Sequence, residues 1–123
     1  STAALNKLYG CIVTSKDMVR PIGENYSKNS TSMFDKTHYY ANPEKYEPIF
    51  HTNIAPYTSV LMNCMYWEAD FPRLLTNSQQ RELIDTGRNR LLAVGDITCD
   101  PLGSVEFLSK STRYERDTCA LCV

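Results

Sequence analysis

The chain has 123 residues, enough for one compact domain with an ordinary core, and 13 basic against 14 acidic side chains leave a net charge of −1. That balance excludes the basic footprint of a nucleic-acid binder or a membrane-surface protein. The longest apolar runs, at residues 60–62 and 91–94, are far too short to span a bilayer, and no targeting segment is read at the start, where Ser1 stands without an initiator Met.

In chain order, residues 8–13 (LYGCIV) form a short β-prone run, and Thr14 or Ser15 is placed to cap a turn beginning at Lys16. Residues 20–37 turn polar, rich in Ser, Asn and Lys with Pro21 and Gly23, and predict a long peripheral loop. Asn42-Pro43-Glu44 predicts a helix start, kept short by Pro48. Ile54-Ala55-Pro56 is expected to be extended, because a residue before proline avoids the helical region.

Residues 57–67 (YTSVLMNCMYW) are apolar, aromatic and partly β-branched, without helical periodicity. They predict a strand buried on both faces, as in a parallel sheet. Phe71-Pro72 breaks the run, Thr76 to Gln79 forms a capping box, and Gly87 closes the helix that follows. Residues 91–97 predict the second buried strand, so strand, helix and strand make one right-handed βαβ unit. The fold class is therefore α/β, with part of a Rossmann-like parallel sheet.

Five cysteines, an odd number, suit a reducing compartment better than a disulfide scaffold. Cys119 and Cys122 make a lone CxxC, and a zinc site would need a second pair; no metal site is read. The sequons at Asn25 and Asn29 are coincidences of a Ser/Asn-rich loop. His51 reads as a packed or surface histidine.

Ligands of parallel sheets bind off the carboxyl ends of the strands. Residues 63–68 occupy that position after the first strand, and 96–103 (DITCDPLG) after the second. Asp96 and Asp100 there supply acceptors for a ribose hydroxyl, a cofactor amide or a substrate ammonium. By composition and spacing they equally fit a strand-end turn and the turn before Pro101. Tyr66 and Trp67 present rings able to stack on a ligand, or simply core.

The runs YGCIVTSKDMV, FDKTHYYANPEKYEPIFHTNIAPYTSVLMNCMYWE, PRLLT and GDITCD together closely resemble the lysine-ketoglutarate reductase part of the bifunctional aminoadipic semialdehyde synthases, in their plant form. The likeness covers about residues 8–112, and that family is related to alanine dehydrogenase and nicotinamide nucleotide transhydrogenase. It implies two Rossmann-like domains with a cleft between them, of which residues 1–112 would be the C-terminal segment of the reductase domain. It also implies NADP as cofactor, with L-lysine and 2-oxoglutarate joined through an imine that is reduced to saccharopine. The implied partners are the rest of the reductase domain and a fused saccharopine dehydrogenase domain; no nucleic acid or membrane is among them.

By the same resemblance the strand-end motif, here Asp96, Ile97 and Asp100, lies against the nicotinamide and its ribose, with Asp96 and Asp100 the catalytic candidates. The preceding loop, here Cys64, Met65, Tyr66 and Trp67, packs beside the nicotinamide. Two departures stand out. The family continues its motif with Ile-Gly-Gly-Ser, whereas this chain has Pro101-Leu102-Gly103-Ser104, which restricts the backbone where a glycine is lost. From Arg113 to Val123 the tail diverges from the family's Pro-Phe-Phe-x-Tyr pattern.

The chain has five glycines and no GxGxxG, the turn that grips a pyrophosphate. The family's catalytic Lys and His lie upstream, so those roles are not carried to Lys16, Lys36, His38 or His51. The leading reading is thus a cofactor-proximal segment of an oxidoreductase whose isolated 123 residues are inactive. The competing reading is a non-catalytic half-Rossmann module for regulation or oligomerisation. The plant-like resemblance implies the cytoplasm, and the animal relatives the mitochondrial matrix.

Overall fold

The structure, a computed structural model, describes residues 7–23 and 34–111. Its first element is a single turn, α1 (Ser15–Met18), opened by Thr14, whose backbone N–H donates to the Asp17 carboxylate at 2.9 Å. The β-prone run before it forms no strand, and Leu8, Tyr9 and Ile12 are exposed. The reason is pairing: no strand among the described residues lies beside it to take its backbone hydrogen bonds.

β1 (Val19–Pro21) pairs antiparallel with β2 (Tyr46–Pro48), placing Arg20 opposite Glu47. The resulting ion pair is 2.5 Å long but nearly half exposed, so it adds little stability. The polar stretch between is more structured at its ends than expected. Arg20 and Pro21 belong to β1, and Lys36 and Thr37 begin α2 (Lys36–Ala41). Asp35 caps α2 by accepting from the His38 N–H at 3.0 Å, a local bond that overrides the polar composition. Residues 24–33 of that expected loop lie outside the described residues.

Asn42-Pro43 opens only a 3-10 turn, Pro43–Lys45, because β2 begins directly after it. The Asn42 side chain does not cap that turn; its oxygen accepts from Lys45 Nζ at 2.9 Å. α3 (Phe50–Asn53) buries Phe50 to 2% exposure. The stretch expected to be extended before Pro56 instead makes a second 3-10 turn, Ala55–Tyr57. Burial of Ala55 and the Thr58 N–H bond to its carbonyl (3.1 Å) outweigh the local preference of a residue before proline.

β3 (Val60–Asn63) leads through α4 (Asn77–Asp85) to β4 (Ala93–Asp96), and β3 and β4 are parallel neighbours. Thr76 closes the expected capping box: its hydroxyl accepts from the Gln79 N–H at 3.2 Å while Gln79 Oε1 accepts from the Thr76 N–H at 3.0 Å. Gly87 ends the helix at φ +68°, and the Arg88 N–H returns to the Leu83 carbonyl at 2.8 Å. Both strands are shorter than the apolar runs, and burial on both faces does not hold. Val60 and Met62 are each 58% exposed, because the sheet has two strands among the described residues and one face of β3 is uncovered.

The core gathers Met18, Val19, Tyr39, Phe50, Leu75 and Val105 with five further apolar residues. Leu75 and Val105, both 0% exposed, form an isolated parallel bridge. The Leu75 N–H donates to the Ser104 carbonyl (3.1 Å) and the Glu106 N–H to the Leu75 carbonyl (3.0 Å). This bridge returns the chain after β4 to the segment that precedes α4, and so fixes the loop of residues 97–103 at both ends.

Candidate functional site

The parallel register sets Asn63 opposite Asp96 at the carboxyl ends of β3 and β4. Asn63 is 2% exposed, and its Nδ2 donates to Asp96 Oδ2 at 3.0 Å and to Ser104 Oγ at 2.8 Å. Asn63 Oδ1 accepts from the Met65 N–H at 3.3 Å, which turns the chain out of β3. The other Asp96 oxygen accepts from the Thr98 N–H (2.9 Å) and hydroxyl (2.6 Å). A carboxylate has about four lone-pair sites, so half-buried Asp96 closes its own turn and still keeps acceptor capacity outward. Strand-end cap and ligand acceptor are thus compatible roles for one side chain.

Asp100 sits differently. It is exposed, and among the described residues its carboxylate carries no hydrogen bond, while its carbonyl accepts from the Gly103 N–H at 3.0 Å. Two non-glycine residues of this loop, Cys99 (φ +57°) and Leu102 (φ +55°), adopt the left-handed conformation. Leu102 stands where the resembling family has the first glycine of Ile-Gly-Gly-Ser. The turn therefore keeps a glycine-like backbone without its glycine, at a cost of about 1–2 kcal/mol. Gly103 is retained, and a Cβ there would lie 2.8 Å from the Asp100 carbonyl oxygen.

The loop after β3 closes against this turn. Cys64 and Tyr66 are exposed, and the Tyr66 hydroxyl donates to Glu68 Oε1 at 2.7 Å. The bond to Glu68, with its charge, pushes the Tyr66 phenol up; the Asp100 carboxylate adds to the shift from across the gap. Trp67 is half-buried, with Nε1 donating to the Phe71 carbonyl at 3.0 Å. The Arg73 guanidinium stands 4.7 Å from the Trp67 ring centroid and donates to the Leu102 and Gly103 carbonyls.

Asp96 is thus joined to the head of the 64–67 loop through Asn63. Ile97 is 65% exposed and adds an apolar surface beside them. A concavity of about 920 Å³ lies between residues 7–15 and β3; Asn63, Cys64 and Met65 line it, but neither Asp96 nor Asp100 does. His51 lies in α3, its Nδ1 buried without a partner among the described residues. Burial lowers its pKa, with Glu82 opposing and Arg88 reinforcing that shift. Among the described residues no group of acidic, His and Cys side chains could hold a metal ion. No helix there is long and apolar enough to cross a membrane.

Sequence reasoning missed the roles of Asn63 and Ser104; Arg73 and Glu106 it read as solvated faces, with substrate binding as the alternative. The one visible signal was Asn63 itself, an amide inside an otherwise apolar run. Glu106 matters because its Oε2 accepts the Asn77 N–H at 2.8 Å, at the first turn of α4. The Gln79 N–H there is held by Thr76 and the Thr76 N–H by Gln79. In a nucleotide-binding crossover a phosphate takes that helix end; here a carboxylate does. The acceptor and apolar set at Asp96, Ile97, Asp100 and Tyr66 suits an amide- and hydroxyl-bearing ring, whereas the α4 terminus does not suit a phosphate.

A parallel strand–helix–strand unit with polar side chains gathered at its carboxyl ends defines a segment of an α/β protein. No family model matches the chain. It is 49% identical over 112 residues to alpha-aminoadipic semialdehyde synthase of Arabidopsis thaliana, covering 91% of this chain and 10% of that protein. The mitochondrial alpha-aminoadipic semialdehyde synthase of Bos taurus is 32% identical over 128 residues, covering 94% of this chain and 13% of that protein. That of Mus musculus is 30% identical over 131 residues, covering 96% and 13%. The chain belongs to the alpha-aminoadipic semialdehyde synthase family and spans about a tenth of the length of the curated relatives it matches.

Proposed function

We propose that this chain is a cofactor-facing segment of an NADPH-dependent lysine-ketoglutarate reductase. The full enzyme would condense L-lysine with 2-oxoglutarate to saccharopine in lysine breakdown. The observation that carries this reading is the Asn63–Asp96 pair, which sets the GDITCD motif at the end of a parallel strand and beside the 64–67 loop. NADPH, when bound, supplies the hydride. The residues of this chain bind and orient. Asp96, held by Asn63 and Thr98, accepts from a ribose hydroxyl or ring amide. Asp100, whose carboxylate is unengaged among the described residues, accepts from a second donor or steadies positive charge on the substrate amine. Ile97, Met65 and Tyr66 with Cys64 and Trp67 form an apolar wall that keeps water from the reacting face.

The Rossmann-like domain and the rest of the enzyme follow from the same reading, with the remaining strands pairing at the open edges of the β3–β4 sheet and helices covering its faces. By the plant-like resemblance we read the enzyme as cytoplasmic. The mitochondrial matrix, the compartment in the mammalian relatives' names, is the alternative. The test is Asp100→Ala in the full-length protein, with initial rates measured against NADPH. We expect kcat/KM to fall about tenfold, roughly 1.4 kcal/mol of transition-state stabilisation, with the melting temperature unchanged. A wild-type rate profile would sink the role of Asp100.

The second reading, a non-catalytic half-Rossmann module, is favoured by one feature: the Glu106 carboxylate on the α4 terminus. A full-length protein that neither binds nor turns over NADPH would select it.

A further inference from the structure

We propose that Arg73 is the positioning residue of the cofactor-facing loop, clamping the turn that carries Asp100 to the loop that carries Trp67. The inference rests on the reductase reading above and adds to it a residue that touches neither cofactor nor substrate. Three observations converge on the same side chain. Its guanidinium donates to two successive carbonyls, Leu102 and Gly103, 29 and 30 residues further along the chain. Its other face lies over the Trp67 ring, 4.7 Å from the centroid. And the first of those carbonyls belongs to Leu102, one of the two left-handed non-glycine residues of the loop.

A left-handed leucine persists only where its surroundings over-determine it. The remaining restraints on this turn are few. The Leu102 N–H donates to the Leu108 carbonyl at 2.7 Å, and the Gly103 N–H to the Asp100 carbonyl at 3.0 Å. Neither reaches the 64–67 loop; among the described residues the two loops are linked at their inner ends by Asn63, between Ser104 and Met65, and at their outer ends by Arg73. One guanidinium nitrogen, Nη1, serves both carbonyls while the guanidinium lies over the indole; a lysine ammonium has no flat face for that stacking. Asp100 sits two residues before the clamped carbonyl, so releasing the clamp frees its carboxylate to swing from the ring-binding surface.

The experiment uses the full-length protein with Arg73→Lys and Arg73→Gln, and Trp67→Leu as the variant that loses the stacking face but leaves the hydrogen bonds. Initial rates are measured against NADPH at saturating L-lysine and 2-oxoglutarate, and backbone hydrogen exchange is followed across residues 97–103. Both Arg73 variants should raise KM for NADPH about tenfold while kcat changes less than threefold. Exchange should quicken at residues 97–103 with β3 and β4 unaltered, and Trp67→Leu, read by exchange alone because Trp67 also belongs to the apolar wall, should quicken it to a smaller degree. If Arg73→Lys matches the wild type in KM or in loop exchange, the proposal is overturned. A wild-type protein that does not turn over NADPH defeats the reductase reading instead, and the exchange rates alone then decide whether Arg73 clamps the loop.

Discussion

Asn63 and Asp96, 33 residues apart in sequence, share both a backbone register and a side-chain hydrogen bond of 3.0 Å at the carboxyl ends of the two parallel strands. The same Asn63 amide also reaches Ser104, 41 residues away and 1% exposed, at 2.8 Å. One buried amide therefore ties the end of β3, the end of β4 and the returning chain into a single polar knot. Its stability consequence is asymmetric, because each partner would be left with an unmet bond.

Asn63→Ala should cost about 1–3 kcal/mol, the usual penalty for orphaning a buried polar group, here the Ser104 hydroxyl. Asn63→Asp should cost more, since it replaces the donor with a second carboxylate against Asp96. Urea denaturation of the 123-residue chain followed by circular dichroism reads both. A midpoint unchanged in Asn63→Ala would show that the knot carries no stability.

The two glycines near the strand ends should respond differently to alanine. At Gly103 an added Cβ would sit 2.8 Å from the Asp100 carbonyl oxygen and 2.9 Å from its Cβ, and the oxygen is backbone that cannot turn away. At Gly95 the added Cβ would meet only Met62 Sδ at 2.6 Å and Cε at 2.8 Å, the end of a flexible and largely exposed side chain. Gly103→Ala should therefore cost about 1–3 kcal/mol and Gly95→Ala well under half of that. Equal denaturation midpoints for the two variants would contradict the packing described.

How much of this was legible in the sequence depended on how local each signal was. The α4 capping box lies within four adjacent residues, and Gly87 sits two residues beyond the helix, so both ends of α4 could be read directly. The two parallel strands were legible as apolar runs, but their length and exposure were not. Whether Val60 or Met62 is covered depends on neighbours that its own run does not specify. Asp35 as a cap was hidden in a stretch whose overall polarity suggested a loop. In the site, Asp96 and Asp100 were visible because the motif is contiguous. The contacts made by Asn63, Ser104, Arg73 and Glu106 were not, since each reaches a partner about thirty to forty residues distant.

His51 gives a pH dependence whose sign is set by its burial. Its Nδ1 is buried without a partner among the described residues, and burial pushes its pKa below the ordinary 6.5. Glu82 opposes that shift and Arg88 reinforces it. The unfolded chain then binds a proton near pH 6.5 that the folded chain resists, so stability falls as pH drops below that value and is flat above it. His51→Gln should remove this part of the slope. Denaturation midpoints at pH 7.5 and 5.5 would differ less in the variant than in the wild type; the same difference in both would exclude His51 as its source.

The last expectation concerns phosphates. A dinucleotide is normally held by its pyrophosphate at a glycine-rich turn and a helix N-terminus, where unbonded N–H groups meet the negative charge. In this chain the α4 terminus is already occupied by side-chain acceptors: Glu106 accepts from Asn77, Thr76 from Gln79, and Gln79 from Thr76. A phosphate approaching it would meet a carboxylate. Any affinity of the 123 residues for NADPH should therefore come from the ring and ribose end alone. Reduced nicotinamide mononucleotide and NADPH should then quench Trp67, the chain's single tryptophan, with dissociation constants within about threefold of each other. Glu106→Gln, which removes the charge but keeps an acceptor at Asn77, should tighten NADPH more than the mononucleotide. With the substrate groups of the full enzyme absent, L-lysine, 2-oxoglutarate and NADPH mixed with this chain should show no loss of reduced-cofactor absorbance. NADPH binding far tighter than the mononucleotide, or saccharopine formed above background, would mean that a phosphate grip or a complete active site exists within these residues.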